Sequence, residues 1–275
     1  MKKLLMILPL LILMSCSSNN SGTNNSNESV TIASFNIQVF GQSKLGKDSV
    51  MARIVRIIRN FDGVAIQEIR SAAQDVLPRL VDMLGDDWDF TISERLGRTS
   101  SKEQYGFVYR TDRIQVTDTE QIADPEDNLH REPFVVYCKA GEFDFSLINI
   151  HTDPDEVPEE INVLDDILVD CIAKESDAIL LGDLNAAPSQ FDELSLVPNV
   201  SWIINDGTWT NVADNKTYDN MVFSSANLSE YIAGSGAVYN FKTIMGLSQE
   251  DAKAVSDHYP VYAEFRIDED DDLEI

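Results

Sequence analysis

Residues able to take part in catalysis stand just after short apolar runs of this sequence. The clearest case is Ile179–Leu181, which is followed by a glycine and then by Asp183 and Asn185. Side chains alternate along a strand, so this acid and this amide are predicted to point the same way from the strand's end. A carboxylate there can bind a divalent cation, and an amide can donate to a phosphate oxygen. By itself the pair also fits a solvated turn, so its meaning depends on what accompanies it.

Residues of matching chemistry stand at the ends of five predicted strands and at the start of another. They are Asn36, Glu68, His151, Asp183 with Asn185, Asp257 with His258, and Asp219. A single histidine at a strand end is usually structural, but two of the protein's three histidines stand here, each near an acid. Hard divalent cations prefer oxygen ligands and keep water or substrate oxygens in their shell. The set therefore predicts a divalent cation beside a phosphate.

The surrounding pattern indicates an α/β chain that can bring these residues together. Val30–Ile37 and Val64–Glu68 have the pattern of strands, whereas Lys47–Asn60 places its apolar residues on one face of a helix. A predicted hairpin over Phe134–Ile150 precedes a second amphipathic helix that ends near Cys171. Strands and helices interleave throughout, as they do in α/β domains.

Composition limits the partners that the protein can attract. The chain has 43% hydrophobic residues, enough for a sizeable core, and a formal charge of -26. Such a charge argues against broad electrostatic attraction to a polyanion, so contact with nucleic acid must be local, through a few arginines and bound cations. Cys138 and Cys171 are predicted to be buried free thiols.

The N-terminus is typical of an export signal. Met1–Lys3 is basic, Leu4–Met14 is apolar but shorter than a membrane-spanning helix, and Ser15 precedes Cys16. The segment resembles a bacterial lipoprotein signal in which Cys16 is lipidated and becomes the new N-terminus. The alternative is an ordinary cleaved signal peptide.

Four regions follow from this pattern. Residues 1–15 are predicted to be the signal peptide, residues 16–29 a flexible tether, residues 30–267 one large domain, and residues 268–275 a solvated acidic tail. We expect a monomeric lipoprotein of the cell envelope, held on the outer membrane or cell surface by its lipid and facing away from the cytoplasm.

Five segments together resemble the successive signatures of the endonuclease/exonuclease/phosphatase superfamily, and in particular its deoxyribonuclease I-like members. The segments are Ser34–Ile37, Ile66–Glu68, Ile150–His151, Gly182–Ala186 and Ser256–Pro260. The likeness extends over nearly all of the chain from Ile32 to Phe265. It implies a four-layer α/β fold, a β-sandwich of two mixed sheets flanked by helices, with the site at one rim.

The resemblance implies a metal site. Glu68 is the expected metal ligand, assisted by Asp183 and Asp257, with Asn36 close by. The expected cofactor is Mg²⁺ or Mn²⁺. One structural calcium site of the family lies near Thr210–Thr217 and looks altered here. Asp214 and Asn215 could still supply oxygens there, so Ca²⁺ is a further candidate.

The resemblance also implies an acid/base pair made of His151 and His258. Glu103 matches the acid that orients the first histidine, and Asp219 matches the acid that orients the second. An acid partner fixes the tautomer of an imidazole and favours its protonated form, which agrees with these roles. Asn185 is expected to steady the phosphate.

Two arginines are the expected contacts with a DNA substrate. Arg70 matches an arginine that enters the minor groove, and Arg131 matches one near the scissile phosphate; each could instead be an exposed solubility charge. Ser101 stands where the family has a tyrosine that stacks on a sugar, and Gln38 replaces an arginine that touches the backbone. Both departures weaken the expected hold on duplex DNA without changing the chemistry.

The function expected from the sequence is an exported, metal-dependent endonuclease that cuts DNA to 5′-phosphate and 3′-hydroxyl ends. One alternative is a phosphodiesterase or phosphatase of the same superfamily that acts on phospholipid head groups or small phosphoesters. Another is a surface binding protein that has kept the fold and lost catalysis. Every catalytic residue of the family pattern is present, which argues against the last alternative.

Overall fold

The computed structural model describes residues 28–268. The predicted signal peptide, Cys16 and almost all of the tether and acidic tail lie outside the described residues, so the regions assigned to them stay predictions. Within the described range, no helix has the length and apolar character needed to cross a membrane.

Strands and helices alternate along the described chain. The strands are β1 (Ser29–Phe40), β2 (Gly63–Ile69), β3 (Trp88–Ile92), β4 (Gln104–Arg110), β5 (Gln115–Gln121), β6 (Phe134–Ala140), β7 (Phe143–His151), β8 (Ala178–Asp183), β9 (Val200–Trp202), β10 (Asp219–Ser224), β11 (Ala237–Val238) and β12 (Val261–Arg266). The helices are α1 (Gln42–Leu45), α2 (Asp48–Ile58), α3 (Val76–Leu84), α4 (Val157–Ile172), α5 (Phe241–Ile244) and α6 (Gln249–Val255).

The strands form two six-stranded sheets. Their orders are β11-β12-β1-β2-β4-β3 and β5-β6-β7-β8-β10-β9. Each sheet contains one parallel pair, β1 with β2 and β7 with β8, among antiparallel neighbours. Both sheets are therefore mixed, as the resemblance implied.

Apolar side chains fill three layers around these sheets. One buried cluster lies between the sheets and takes side chains from strands of both. A second joins the outer face of the first sheet to α2, α3, α5 and α6, and a third joins the outer face of the second sheet to α4. This arrangement confirms the four-layer sandwich. Cys138 and Cys171 are buried and free, as expected.

Regular alternation carries polar residues into the space between the sheets at one rim. Ile32 in β1 and Leu147 in β7 belong to the central apolar cluster, so the residues at the same parity toward each strand's end, Asn36 and His151, face the same space. The parallel register places His151 opposite Asp183, and the antiparallel register of β8 with β10 places Asp219 there too. Strand pairing thus gathers the predicted polar residues.

Candidate active site

Asp183 is the centre of the rim. This carboxylate is almost completely buried, and its Oδ2 atom accepts a hydrogen bond of 2.9 Å from the side-chain amide of Asn36. The same oxygen lies 3.6 Å from Nε2 of His151 and 3.5 Å from Nε2 of His258. Both imidazoles therefore present the same ring nitrogen to one point. Two imidazoles placed in this way can accept a proton on one side of that point and donate a proton on the other.

His258 is held by Asp219. Its Nδ1 atom lies 2.9 Å from Oδ2 of Asp219, which also accepts a 2.7 Å hydrogen bond from the hydroxyl of Thr210. Burial raises the pKa of Asp219 to about 6, and the positive charge of His258 opposes this rise. Burial opposes protonation of His258, but the charges of Asp219 and Asp183 outweigh it and raise the pKa of His258 well above 6.5.

His151 is held in the same way by Glu103. Its Nδ1 atom lies 3.1 Å from Oε2 of Glu103, which is buried. Burial opposes ionisation of Glu103, but the hydrogen bond to His151 and the charges of His151, Arg131 and Arg70 outweigh it, so the pKa of Glu103 is lowered. Burial also opposes protonation of His151, and the hydrogen bond with Glu103 together with the charge of Asp183 outweighs it, so the pKa of His151 is raised.

Glu68 reaches the rim through an irregularity in β2. The side chain of Gln67 faces the space between the sheets and donates to the amide oxygen of Asn149 at 2.7 Å. Regular alternation would therefore turn Glu68 toward the outer helices. Its φ angle is instead +61°, and the register with β4 shifts at this point. The turned carboxylate accepts a 3.2 Å hydrogen bond from the side-chain amide of Asn36.

The residues predicted to hold a metal are brought together with the right donor chemistry. Asn36 donates to both Glu68 and Asp183, so these three side chains are neighbours. Asp257 stands beside His258, and its Oδ1 atom is buried without a hydrogen-bond partner among the described residues. A buried carboxylate oxygen that accepts nothing fits a cation or a substrate group. The oxygen-rich set is therefore compatible with a hard divalent cation.

A second grouping shares Asp183 with this set. One ligand atom each from Asp183, Asp219 and His258 lie within 4.8 Å of one another. Nδ1 of His258 is bonded to Asp219, and its Nε2 atom lies 3.5 Å from Asp183, so Nε2 is the ring nitrogen that faces the cation set and a substrate. We therefore interpret Asp183 as the residue that the acid/base pair and the cation set have in common.

The two arginines predicted to contact substrate lie beside the acids of the site. Arg70 is partly exposed and its guanidinium lies 3.1 Å from Glu68 and 3.3 Å from Glu103. Arg131 is buried, and it donates to the backbone oxygen of His151 at 2.9 Å and pairs with Glu103 at 2.9 Å. Arg131 thus supports the Glu103–His151 pair from behind. Its Nη2 atom is buried with no hydrogen-bond partner within residues 28–268.

Asn185 lies just past the end of β8. Its φ angle is +47°, and its backbone N–H donates to Oδ1 of Asp183 at 3.0 Å. Its side-chain amide donates to the backbone oxygen of Thr152, also at 3.0 Å. Asn185 therefore links the Asp183 turn to the segment that follows His151.

Sequence reasoning missed the residues that support the site from a distance. Thr210 holds Asp219 from a loop rich in Asn, Asp and Thr, where nothing distinguishes it from its neighbours. The buried hydroxyl of Tyr105 accepts a 3.0 Å hydrogen bond from the backbone N–H of His151. Tyr105 lies in β4, two residues after Glu103, which immediately precedes that strand, and this spacing is the one signal that could have indicated it.

The loop considered for calcium is in contact with a positive charge from α5. The ammonium of Lys242 pairs with the carboxylate of Asp214 and donates to the backbone oxygen of Val212 at 3.0 Å. The amide oxygen of Asn215 accepts a 2.8 Å hydrogen bond from Asn211. Both side chains predicted as calcium ligands therefore have protein partners in this structure.

Known proteins resemble this chain over most of its length. The family described as Endonuclease/Exonuclease/phosphatase family matches residues 33–258. Deoxyribonuclease-1 of Bos taurus is 36% identical over 256 residues, covering 85% of this chain and 91% of that protein. Deoxyribonuclease-1 of Homo sapiens is 33% identical, with the same coverage.

Solved structures show the same fold at lower identity. Truncated TDP2 of Caenorhabditis elegans superposes with a TM-score of 0.60 at 18% identity, covering 86% of this chain and 98% of that one. An endonuclease/exonuclease/phosphatase family protein of Bacteroides thetaiotaomicron gives a TM-score of 0.59 at 16% identity, covering 90% of this chain and 98% of that one. The expected resemblance is confirmed, and the chain belongs to the endonuclease/exonuclease/phosphatase family.

Proposed function

We propose that this protein is an exported, metal-dependent endonuclease that hydrolyses phosphodiester bonds of DNA. The observation that carries the proposal is the convergence of two buried histidine–acid pairs on Asp183, beside the carboxylates of Glu68 and Asp257. Identity above 30% to deoxyribonuclease-1 over most of both chains supports DNA as the substrate. Family membership makes the protein a hydrolase.

His258 acts as the general base in the proposed reaction, because a divalent cation held by Asp183 and Asp257 would offset the acid charges that raise the pKa of His258. Its Nε2 atom takes a proton from the attacking water, while Asp219 keeps Nδ1 protonated and stabilises the imidazolium that forms. Water oxygen bonds to phosphorus as the bond from phosphorus to the 3′ oxygen breaks. The expected products are a 5′-phosphate and a 3′-hydroxyl.

His151 completes the proton transfer on the other side of Asp183. The hydrogen bond with Glu103 favours its protonated form, from which Nε2 can donate to the phosphate or to the leaving 3′ oxygen. Glu103 fixes the ring, and Arg131 fixes Glu103. The side-chain amide of Asn185 holds the backbone of Thr152, next to His151, by a hydrogen bond and so steadies the segment beside the phosphate.

Glu68, Asp183 and Asp257, with Asn36 beside them, would hold the divalent cation, for which Mg²⁺ or Mn²⁺ is proposed. Such a cation stabilises negative charge on phosphate oxygens. Calcium is not required by the proposal, because Lys242 already pairs with Asp214. On the N-terminal pattern, we further propose that Cys16 is lipidated and that the protein lies on the outer membrane or cell surface, facing away from the cytoplasm. We also propose that it is a monomer, because the residues of the proposed mechanism all come from one chain.

The test is digestion of supercoiled plasmid by the purified protein with Mg²⁺, with Mg²⁺ and Ca²⁺, and with chelator. We expect nicking that requires Mg²⁺ and stops with chelator. His258→Ala should lose activity by about a thousandfold or more, since a general base contributes roughly 10²–10⁴-fold and loss of Asp219's partner adds to this.

His130→Ala is the matched control. His130 is the remaining histidine of the described chain, and it lies 3.4 Å from Asp153 rather than at Asp183. Its replacement should leave nicking within about twofold of the parent. Full activity in folded His258→Ala protein would contradict the mechanism. A folded parent that cuts a small phosphodiester but nicks no plasmid would indicate the phosphoester alternative instead.

A further inference from the structure

The end of β1 makes contacts that the proposed mechanism does not use. Gln38 and Val39 follow Asn36, and their φ angles are +30° and +48°. The pairing of β1 with β2 shifts register between Asn36 and Phe40, so these two residues form a bulge. A positive φ is unfavourable for most residues and especially for a β-branched one such as Val39.

Burial of Val39 does not offset this strain. Its side chain is 50% exposed, so it contributes little to the apolar core. Residues held in such backbone conformations persist when the surrounding structure fixes them, and they concentrate at functional sites. The strained conformation of the bulge must therefore be stabilised by contacts of its backbone and of the Gln38 side chain.

The bulge donates hydrogen bonds to three residues of the predicted metal set, Asn36, Glu68 and Asp257. The backbone N–H of Gln38 donates to Oδ1 of Asn36 at 2.8 Å. The side-chain amide of Gln38 donates to Oδ2 of Asp257 at 2.8 Å. The backbone N–H of Val39 donates to Oε2 of Glu68, again at 2.8 Å. The side-chain amide of Asn36 in turn donates a hydrogen bond to Asp183.

Asp257 depends on this contact more than the other acids do. Its side chain is 42% exposed, whereas that of Asp183 is 2% exposed. Among the described residues, Gln38 is the hydrogen-bond donor that holds its carboxylate. A half-exposed carboxylate without such a donor can rotate toward water. Loss of the Gln38 amide would therefore leave the orientation of the Asp257 carboxylate without a donor to fix it.

The bulge is itself anchored from below. The buried ammonium of Lys44 donates to the backbone oxygens of Ile37 and Val255, both at 2.7 Å. The hydroxyl of Ser256 donates to the backbone oxygen of Asn36 at 2.6 Å. These bonds join the end of β1 to the segment that carries Asp257. The strained conformation is thus maintained by its surroundings.

We infer that Gln38 and Val39 form a positioning segment that orders the carboxylates of Glu68 and Asp257 for the divalent cation. Gln38 acts through its side chain on Asp257, and Val39 acts through its backbone N–H on Glu68. The inference rests on the metal site of the proposed function. It also gives a structural reason for glutamine at position 38, because a neutral donor can hold Asp257 without competing with the cation.

The test measures binding of Mn²⁺ to the purified protein by titration calorimetry, without substrate. Loss of a partner that orients a metal ligand typically lowers affinity about 10- to 100-fold, so Gln38→Ala should weaken Mn²⁺ binding by at least roughly tenfold. Gln42→Ala is the matched control, because the Gln42 amide donates to Asp75 outside the metal set. The Mn²⁺ affinity of Gln42→Ala should stay within about twofold of that of the parent.

Val39→Gly tests the backbone contribution. Glycine retains the N–H that donates to Glu68 and adopts positive φ without steric cost, so Mn²⁺ affinity should stay within about twofold of the parent. A large loss in this variant would show that the valine side chain matters and would contradict the assignment.

The failures of the two proposals are distinguishable. A parent that binds Mn²⁺, loses binding in Glu68→Ala and keeps it in Gln38→Ala would overturn the positioning segment and leave the metal site intact. A folded parent that binds no Mn²⁺ would overturn the metal site and, with it, this inference. Equal thermal midpoints of the parent and Gln38→Ala without metal would exclude loss of folding as the cause of weaker binding.

Discussion

At the scale of single residues, the site consists of ionisable groups whose charges depend on one another. Glu103 and His151 are both buried, and each shifts the pKa of the other toward the charged pair. Arg131 adds a third charge, 2.9 Å from Glu103. A buried pair of this kind is costly to break, since the remaining partner keeps its charge without compensation.

Glu103→Gln should lower the free energy of unfolding by about 3 kcal/mol or more, with a characteristic pH dependence. The raised pKa of His151 gives stability that is complete below 6.5 and is lost as pH rises through the folded value. The lowered pKa of Glu103 gives stability that is complete above 4.5 and is lost as pH falls through the folded value. The difference from the parent should therefore be largest between pH 4.5 and 6.5.

Denaturant unfolding in the presence of chelator, at several pH values, measures this difference. Glu126→Gln is the control, because Glu126 is exposed and should show no such maximum. A difference between Glu103→Gln and the parent that is the same at every pH would show that the His151 pair does not contribute to stability.

At the scale of elements, strand register carries the acids and histidines to one rim. β7 and β8 pair in parallel, with His151 opposite Asp183 and Ile150 opposite Gly182. The φ angle of Gly182 is +152°, and a Cβ atom there would lie 1.8 Å from the backbone oxygen of Ile150. The glycine before Asp183 is therefore required by the close approach of two backbones.

Gly182→Ala should lower the free energy of unfolding by roughly 3 kcal/mol or more and should reduce nicking activity, because the clash separates β7 from β8 beside the site. Gly207→Ala is the control. Gly207 also has a positive φ, of +81°, but a Cβ atom there meets nothing within 4 Å. Gly207→Ala should lower the free energy of unfolding by about 1 kcal/mol, because only the backbone conformation becomes unfavourable. Equal thermal shifts in the two variants would contradict the steric explanation.

At the scale of the whole molecule, the charge of -26 opposes the approach of a polyanion. The two arginines at the site are engaged with Glu68 and Glu103, so little positive charge is free there. Lys216 is one exposed cation nearby; its ammonium lies 5.7 Å from the ring centroid of Tyr218, which is 6.1 Å from that of His258. Contact with DNA therefore depends on a few local groups and on cations.

Added NaCl should change the KM for DNA far less than it does for basic DNA-binding proteins. A protein with 6–10 phosphate contacts loses about 10³–10⁵ in affinity between 50 and 200 mM salt, and we expect less than about a tenfold change here. Initial rates on a labelled duplex at fixed Mg²⁺ measure this. A steep rise of KM with salt would show that the protein makes many phosphate contacts in spite of its charge.

The sequence by itself determined the family, the fold class and the identity of the residues at the rim. Alternation in β1, β7 and β8 is a local property, so it predicts that Asn36, His151 and Asp183 share a face wherever the strands pair. The N-terminal signal and the lipid anchor are also local patterns, and they stay predictions.

Only the tertiary structure decided how these residues are oriented. Alternation would turn Glu68 away from the site, and its positive φ turns it back; Arg131 lies behind Glu103, and Gln38 bonds to Asp257 across 219 positions of the chain. These contacts join residues far apart in sequence, and their geometry depends on strand register, a bulge and the packing of two sheets. No local pattern carries that information, because it arises only when the sheets pair and pack.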